Sequence, residues 1–196
     1  MILLAYDCSG ARLSVALYRD EKELGRSDSE PGVRYSAALV PMIEKLLAKA
    51  RLKIQDVDVI AVGVGPGSFT GLRVGVATAK ILGYVLKKKL VGVSSLEAVA
   101  REASAGKDGR VAVALDARRS QVYGAVYERR GGMVKELRKP ALFDAKKFHG
   151  VSGEPNASRI AEAAFARAKR KRFIDPFRLE PLYLHPKDCN VTLPKK

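Results

Sequence analysis

Ala61-Val62-Gly63-Val64-Gly65-Pro66-Gly67-Ser68-Phe69-Thr70-Gly71-Leu72-Arg73-Val74-Gly75 changes its pattern midway. The β-branched run at residues 57–64 predicts a buried strand. Gly65-Pro66-Gly67-Ser68 is a loop composition, and the long apolar segment from Thr70 predicts a helix. Strand, glycine loop and helix start in succession let backbone N–H groups face a ligand, often an anion. The spacing nevertheless matches neither common phosphate loop. A P-loop needs Lys then Ser or Thr at the helix start, and here Leu72-Arg73 follows Gly71. The dinucleotide fingerprint needs glycines two and then three residues apart, which Gly65-Pro66-Gly67-Ser68-Phe69-Thr70 breaks.

The chain around this stretch has 196 residues, enough for a substantial core in one domain or two small lobes. No charge-free apolar run reaches the length of a membrane span. The first seven residues, Met1 to Asp7, lack a basic n-region and read as a strand rather than a signal peptide. Cys8 and Cys189 lie at opposite ends and His149 and His185 are far apart, so no zinc site is predicted. A reducing cytoplasm is the expected compartment. The charge is uneven: 36 Lys and Arg against 21 Asp and Glu, net +15. Such an excess favours polyanions or acidic partners. It is equally the mark of a basic proteome or of a solubility device.

Strands are predicted at residues 2–6 and 13–18, joined by the turn composition Asp7-Cys8-Ser9-Gly10, with an edge strand near 23–29. Leu39, Met42, Ile43, Leu46, Leu47 and Ala50 recur at helical spacing within residues 36–52. A short strand at 90–93 and a helix at 96–103, capped by Ser95, follow. Ala105-Gly106-Lys107-Asp108-Gly109 is the best linker. The pattern then restarts, with strands at 111–115, 121–127 and 133–137 and a helix at 157–171. Strands before helices, twice over, predict two lobes of related architecture, 1–105 and a reduced 106–196 whose tail packs back on the first.

The helix from Thr70 carries Gly71, Gly75, Ala79 and Gly83 every four residues, a stripe of small side chains on one face. Its other faces are largely apolar, and only Arg73, Lys80 and Lys87 are charged. A core helix accounts for this pattern. So does a helix with one face on the sheet and another on a partner.

These residues carry a family resemblance. Gly65-Pro66-Gly67-Ser68-Phe69-Thr70-Gly71-Leu72-Arg73-Val74-Gly75, then Ala77-Thr78-Ala79-Lys80, resembles the signature of the TsaB (YeaZ) family. Asp7-Cys8-Ser9, Val93-Ser94-Ser95-Leu96-Glu97-Ala98, Ala114-Leu115-Asp116-Ala117-Arg118-Arg119 and Pro181-Leu182-Tyr183-Leu184 extend the match over nearly the whole chain, most loosely at residues 139–175. The resemblance implies an α/β, actin/hexokinase-like (ASKHA) fold: two ribonuclease-H-like lobes with mixed sheets flanked by helices. It implies a role in forming N6-threonylcarbamoyladenosine at tRNA position 37. The chain would be a non-catalytic scaffold that forms a heterodimer with a TsaD-type enzyme through first-lobe helices, joined by a TsaE-type ATPase. Leu39, Met42, Ile43, Leu46, Gly71, Leu72, Gly75, Val76, Ala79 and Gly83 are the expected interface, and a homodimer is expected in isolation.

A nucleotide site in such a fold needs carboxylates at two hairpins, which Asp7 and Asp116 could supply. Ser9, Gly65, Gly67, Ser68 and Arg118 complete a degenerate set. Ala117-Arg118-Arg119 stands where a glycine normally admits phosphate, and Gly150 and Gly153 are separated where an adjacent pair would hold adenosine. No cofactor is expected, with room for weak ATP or ADP binding. The metal-binding His pair of the related enzyme falls on Ser95 and Val99, so no metal is expected. Ser68 lies outside any G-x-S-x-G elbow. Tyr35-Ser36-Ala37 departs from the family's His-Ser-Glu. Two other classes remain: an ATP-dependent small-molecule kinase of the same fold, and a tRNA-binding accessory protein. For the latter, Lys87-Lys88-Lys89, Arg129-Arg130 and Lys169-Arg170-Lys171-Arg172 supply charge for weak, salt-sensitive contact.

Overall fold

A computed structural model describes residues 1–184; the tail, with His185 and Cys189, lies outside the described residues. Strands β1 (Ile2–Asp7), β2 (Ser14–Arg19) and β3 (Lys22–Asp28) form an antiparallel meander. Helix α1 (Tyr35–Lys49) leads to β4 (Val59–Gly65), which lies parallel to β1. Helix α2 (Phe69–Val85) crosses to β5 (Lys89–Ser94), parallel to β4. The first sheet therefore runs β3-β2-β1-β4-β5.

After α3 (Ser95–Ala103), β6 (Gly109–Arg118), β7 (Gln121–Arg130) and β8 (Met133–Asp144) repeat the meander. A short β9 (Val151–Ser152) lies parallel to β6, giving β8-β7-β6-β9. Among the described residues the second sheet thus repeats the first through its fourth strand, with no counterpart of the fifth. This is the α/β, actin/hexokinase-like plan of two mixed sheets flanked by helices. Strand β8 runs well past the predicted 133–137, and β9 is too short to leave a periodic signal. Among the described residues no helix is long and apolar enough to cross a membrane.

The first sheet is buried on both faces, and strand periodicity sorts its side chains. Leu4, Tyr6, Ile60 and Val62 pack with Leu39, Ile43, Leu46 and Leu47 of α1 and with Val76 and Ala79 of α2. Leu3, Ala5, Val59, Ala61, Val91 and Val93 face helix α4 (Ala157–Lys169) on the other side. Ala157, Ala161, Ala163 and Ala164 are buried there, and their small side chains let α4 lie close to the strands. Asn156 caps α4 by accepting from Arg159 N at 3.0 Å, and Ser14 Oγ accepts from Ala157 N at 2.9 Å.

The helices do not respect the expected division at residue 105. Helix α3, from before it, packs Leu96, Val99 and Ala100 on the second sheet. Helix α4, from after it, covers the first. The chain beyond α4 also returns to the first sheet: Ile174 N donates to Leu90 O at 2.9 Å and Leu182 N to Val64 O at 2.7 Å. A buried ion triad joins the exchanged helices. Glu97 of α3 accepts from Arg101 at 3.1 Å and from Arg167 of α4 at 2.6 Å. Its side chain is 11% exposed and that of Arg101 8%.

Removing one partner from such a cluster strands an unpaired buried charge, a change that typically costs about 3–5 kcal/mol. Glu97→Ala is therefore expected to lower unfolding free energy by about that amount in urea titration. A loss within the range of ordinary surface substitutions would show that the triad does not hold the two sheets together.

Candidate functional site

The glycine loop is shaped by contact with the β1–β2 turn. Ser68 N donates to Ser9 O at 2.8 Å, and a Cβ on Gly67 would stand 2.4 Å from that same carbonyl oxygen. The loop's close approach is thus made to the protein's own backbone. Ser68 then caps α2, its Oγ accepting from Gly71 N at 3.2 Å.

Asp7 is fully buried at the end of β1. Its Oδ1 accepts from Ser9 N and Ser9 Oγ, each at 2.6 Å, and its Oδ2 from Ser95 Oγ at 2.7 Å. Three of the roughly four acceptor positions of a carboxylate are filled from within. Gly63 backs the group so tightly that a Cβ there would meet Oδ2 at 1.8 Å. Ser95 is no helix cap. Ser94 holds the N-cap position without a side-chain bond, and Ser95 Oγ instead accepts from Gly65 N at 3.2 Å while donating to Asp7. Val99 packs in the second core. Burial pushes the Asp7 carboxyl above its ordinary range, partly offset by the hydrogen bonds from Ser9 and Ser95.

Asp116 sits in different surroundings. It is exposed at the end of β6, and its Oδ1 accepts from Arg118 N at 2.8 Å. Arg118, Arg119 and Ser120 carry φ of 64°, 50° and 58°, a left-handed hairpin turn made without glycine. The two carboxylates expected to act together are thus one sealed group and one turn-capping group.

The small-residue stripe is corrected by the structure. Gly71, Gly75, Ala79 and Gly83 face the protein's own sheet. A Cβ on Gly71 would lie 1.9 Å from Cys8 O, and one on Gly83 2.7 Å from Leu90 Cδ2. Tyr6 Oη donates to Gly75 O at 3.0 Å. Leu39, Ile43, Leu46, Leu72 and Val76 are buried as well, and Met42 is half-buried. Close packing of β1 and β5 accounts for the stripe, so none of these buried side chains is available to a partner. Tyr35 likewise turns inward, its Oη donating to Gly10 O at 2.6 Å.

The opposite side of α2 is the face that remains open. Phe69, Ile81, Tyr84 and Val85 are between 53% and 65% exposed. With Arg73 and Ala77 they follow one line at helical spacing. Two aromatics from the returning chain widen the patch: Tyr183 lies 5.2 Å from Phe69, and Phe177 lies 5.2 Å from Tyr84. The Arg73 guanidinium stands 3.9 Å over the Phe69 ring. Val40 on α1 is also exposed. A four-residue count drawn from Phe69 rather than Gly71 finds this face in the sequence. Phe177 leaves no such signal, because the fold alone brings it there.

Two measurements check these placements. Gly71→Ala forces backbone apart at Cys8 and is expected to cost about 1–3 kcal/mol, the usual range for overpacking; unchanged thermal stability would contradict the contact. For Asp7, a carboxyl with a higher pKa folded than unfolded holds its proton more tightly in the native state. That contribution favours folding below the unfolded value near 3.8 and is lost as pH rises through the native one. The stability of the natural protein minus that of Asp7→Asn should therefore fall as pH rises from about 4. A difference independent of pH would place Asp7 in contact with water.

The model of the family described as TsaD, tRNA N6-adenosine threonylcarbamoyltransferase, matches residues 32–184. The tRNA threonylcarbamoyladenosine biosynthesis protein TsaB of Bacillus subtilis is 31% identical over 94% of both chains. Its namesake in Escherichia coli is 35% identical over 79% of this chain and 69% of its own. The solved structure of YeaZ from Pseudomonas aeruginosa superposes with a TM-score of 0.86 at 26% identity, covering 93% of this chain and 99% of that one. With a relative aligned over nearly its whole length, a matching fold and the glycine-loop signature in place, the chain belongs to the TsaB (YeaZ) family.

Proposed function

We propose that this chain is the non-catalytic docking subunit of a TsaD-type transferase that makes N6-threonylcarbamoyladenosine at tRNA position 37. The exposed apolar face of α2 carries the reading. Four large hydrophobic side chains in one line, flanked by two aromatics from elsewhere in the chain, exceed the scattered exposure of an ordinary surface. The arrangement at Asp7 agrees with it. In a subunit that performs chemistry, that carboxylate would face a ligand; here it holds the β1–β2 turn and α3 to β1.

A transferase described by the same family model would present a comparable helix, so the two chains could pair helix against helix in a pseudo-symmetric contact. Without that partner, the same face would pair with a second copy. A TsaE-type ATPase would join the assembled pair rather than the free chain. Weak tRNA contact would come from the basic surface, and the cytoplasm is where such a complex would meet its substrate.

Co-expression with the same organism's TsaD-type protein, followed by size-exclusion chromatography, tests the reading. Ile81→Asp and Tyr84→Asp place charge on the patch without entering the core. Each is expected to weaken the complex by about 2 kcal/mol, roughly thirtyfold in Kd, as for a central aromatic or aliphatic anchor. Circular dichroism should show an unchanged fold. A complex that survives both substitutions would overturn the assignment of this face.

A further inference from the structure

A second feature lies away from α2, where the C-terminal end of α4 meets α3 and the second sheet. A cavity of about 250 Å³ opens there, lined by Arg101, Arg167, Arg170 and Arg172. Glu97 and Glu136 also line it, so four guanidinium groups face two carboxylates. Glu97 is committed to Arg101 and Arg167. Arg170 reaches only the Met133 sulfur, at 3.5 Å, and the Arg172 guanidinium has no partner among the described residues. Glu136 forms no ion pair with any of the four.

Tyr127 also lines the cavity, at 1% exposure, with its hydroxyl sealed from solvent beside that of Ser94. Cations at a helix C-terminus suit its dipole, and Arg167 does donate to Ala163 O at 3.3 Å. That explanation accounts for one arginine. It leaves Arg170 and Arg172 unexplained.

We infer that this cavity binds a phosphate group, held by Arg170 and Arg172 and seated against the Glu97-buttressed pair Arg101 and Arg167. The local excess of two positive charges matches a phosphate dianion. Guanidinium forks match its acceptor-only oxygens. The volume leaves space for the molecule that carries the phosphate. Its source is either a small phosphate-bearing molecule or the backbone of an RNA.

Inorganic phosphate titrated into the isotope-labelled full chain, at ionic strength held constant with chloride, provides the test. Saturable amide shifts are expected at residues 101, 127, 167, 170 and 172. Arg170→Ala/Arg172→Ala, both at exposed positions, should weaken binding at least tenfold. Lys107→Ala/Lys135→Ala removes the same charge elsewhere and should leave affinity intact. No saturable shift, or an equal loss in the two double variants, overturns the site. A transfer RNA then added to the phosphate-bound protein identifies the source. Displacement of the phosphate shifts assigns the site to RNA backbone, and their persistence assigns it to a small phosphate-bearing molecule.

Discussion

The backbone of α2 lies so close to the first sheet that the rest of the molecule is arranged around the contact. Gly71 faces the Cys8 carbonyl where no side chain fits, Tyr6 reaches across to the Gly75 carbonyl, and Gly83 accommodates Leu90. Small residues every four positions permit this only along one line of the helix. Once that line is pressed against β1 and β5, the rotation of α2 is fixed. Phe69, Ile81, Tyr84 and Val85 must then point outward, apolar or not. The exposed patch is a geometric consequence of the buried stripe, and its hydrophobic character is the part that requires a functional explanation.

The same economy governs the polar groups at the end of β1. Asp7, Ser9, Ser95 and the amide of Gly65 satisfy one another in a closed network. An actin/hexokinase-like cleft has use for a carboxylate at that hairpin, open to a ligand. In this chain the donors that enclose it are supplied by its own loop and helix. The glycine loop therefore acts as a mechanical joint. It seats α2 through the Ser68 cap and fixes α3 through Ser95, so strand, loop and both helices move together.

Much of the fold was legible because alternation and helical spacing report burial directly. Residues 57–64 and the Leu39–Ile43–Leu46 line needed no tertiary information, and the glycine-loop signature pointed to the family. The exchange of α3 and α4 between the sheets was not legible. Val99 and Ala161 each read as helix core, and nothing local says which sheet receives them. The expected interface line along α2 turned inward for a related reason: a small-residue stripe has the same pattern whether the approaching backbone belongs to this chain or another. Tyr127 and Arg172 are 45 residues apart in the chain, so only the fold shows that they line one cavity.

The exchange of helices also determines how the two surfaces relate. Helices α1 and α2 cover one face of the first sheet, and α4 covers the other. The apolar patch therefore lies across the sheet from the arginine-lined end of α4. A partner seated on α2 leaves that cavity accessible, and an anion at the cavity does not compete with the partner. The Glu97 triad nevertheless connects them mechanically, because Arg167 and Arg101 border the cavity while tying α4 to α3. A net charge of +15 favours polyanions over long range, and the proposed phosphate site would sit on the side of the molecule opposite α2, where the Arg170 and Arg172 guanidiniums form no ion pair among the described residues.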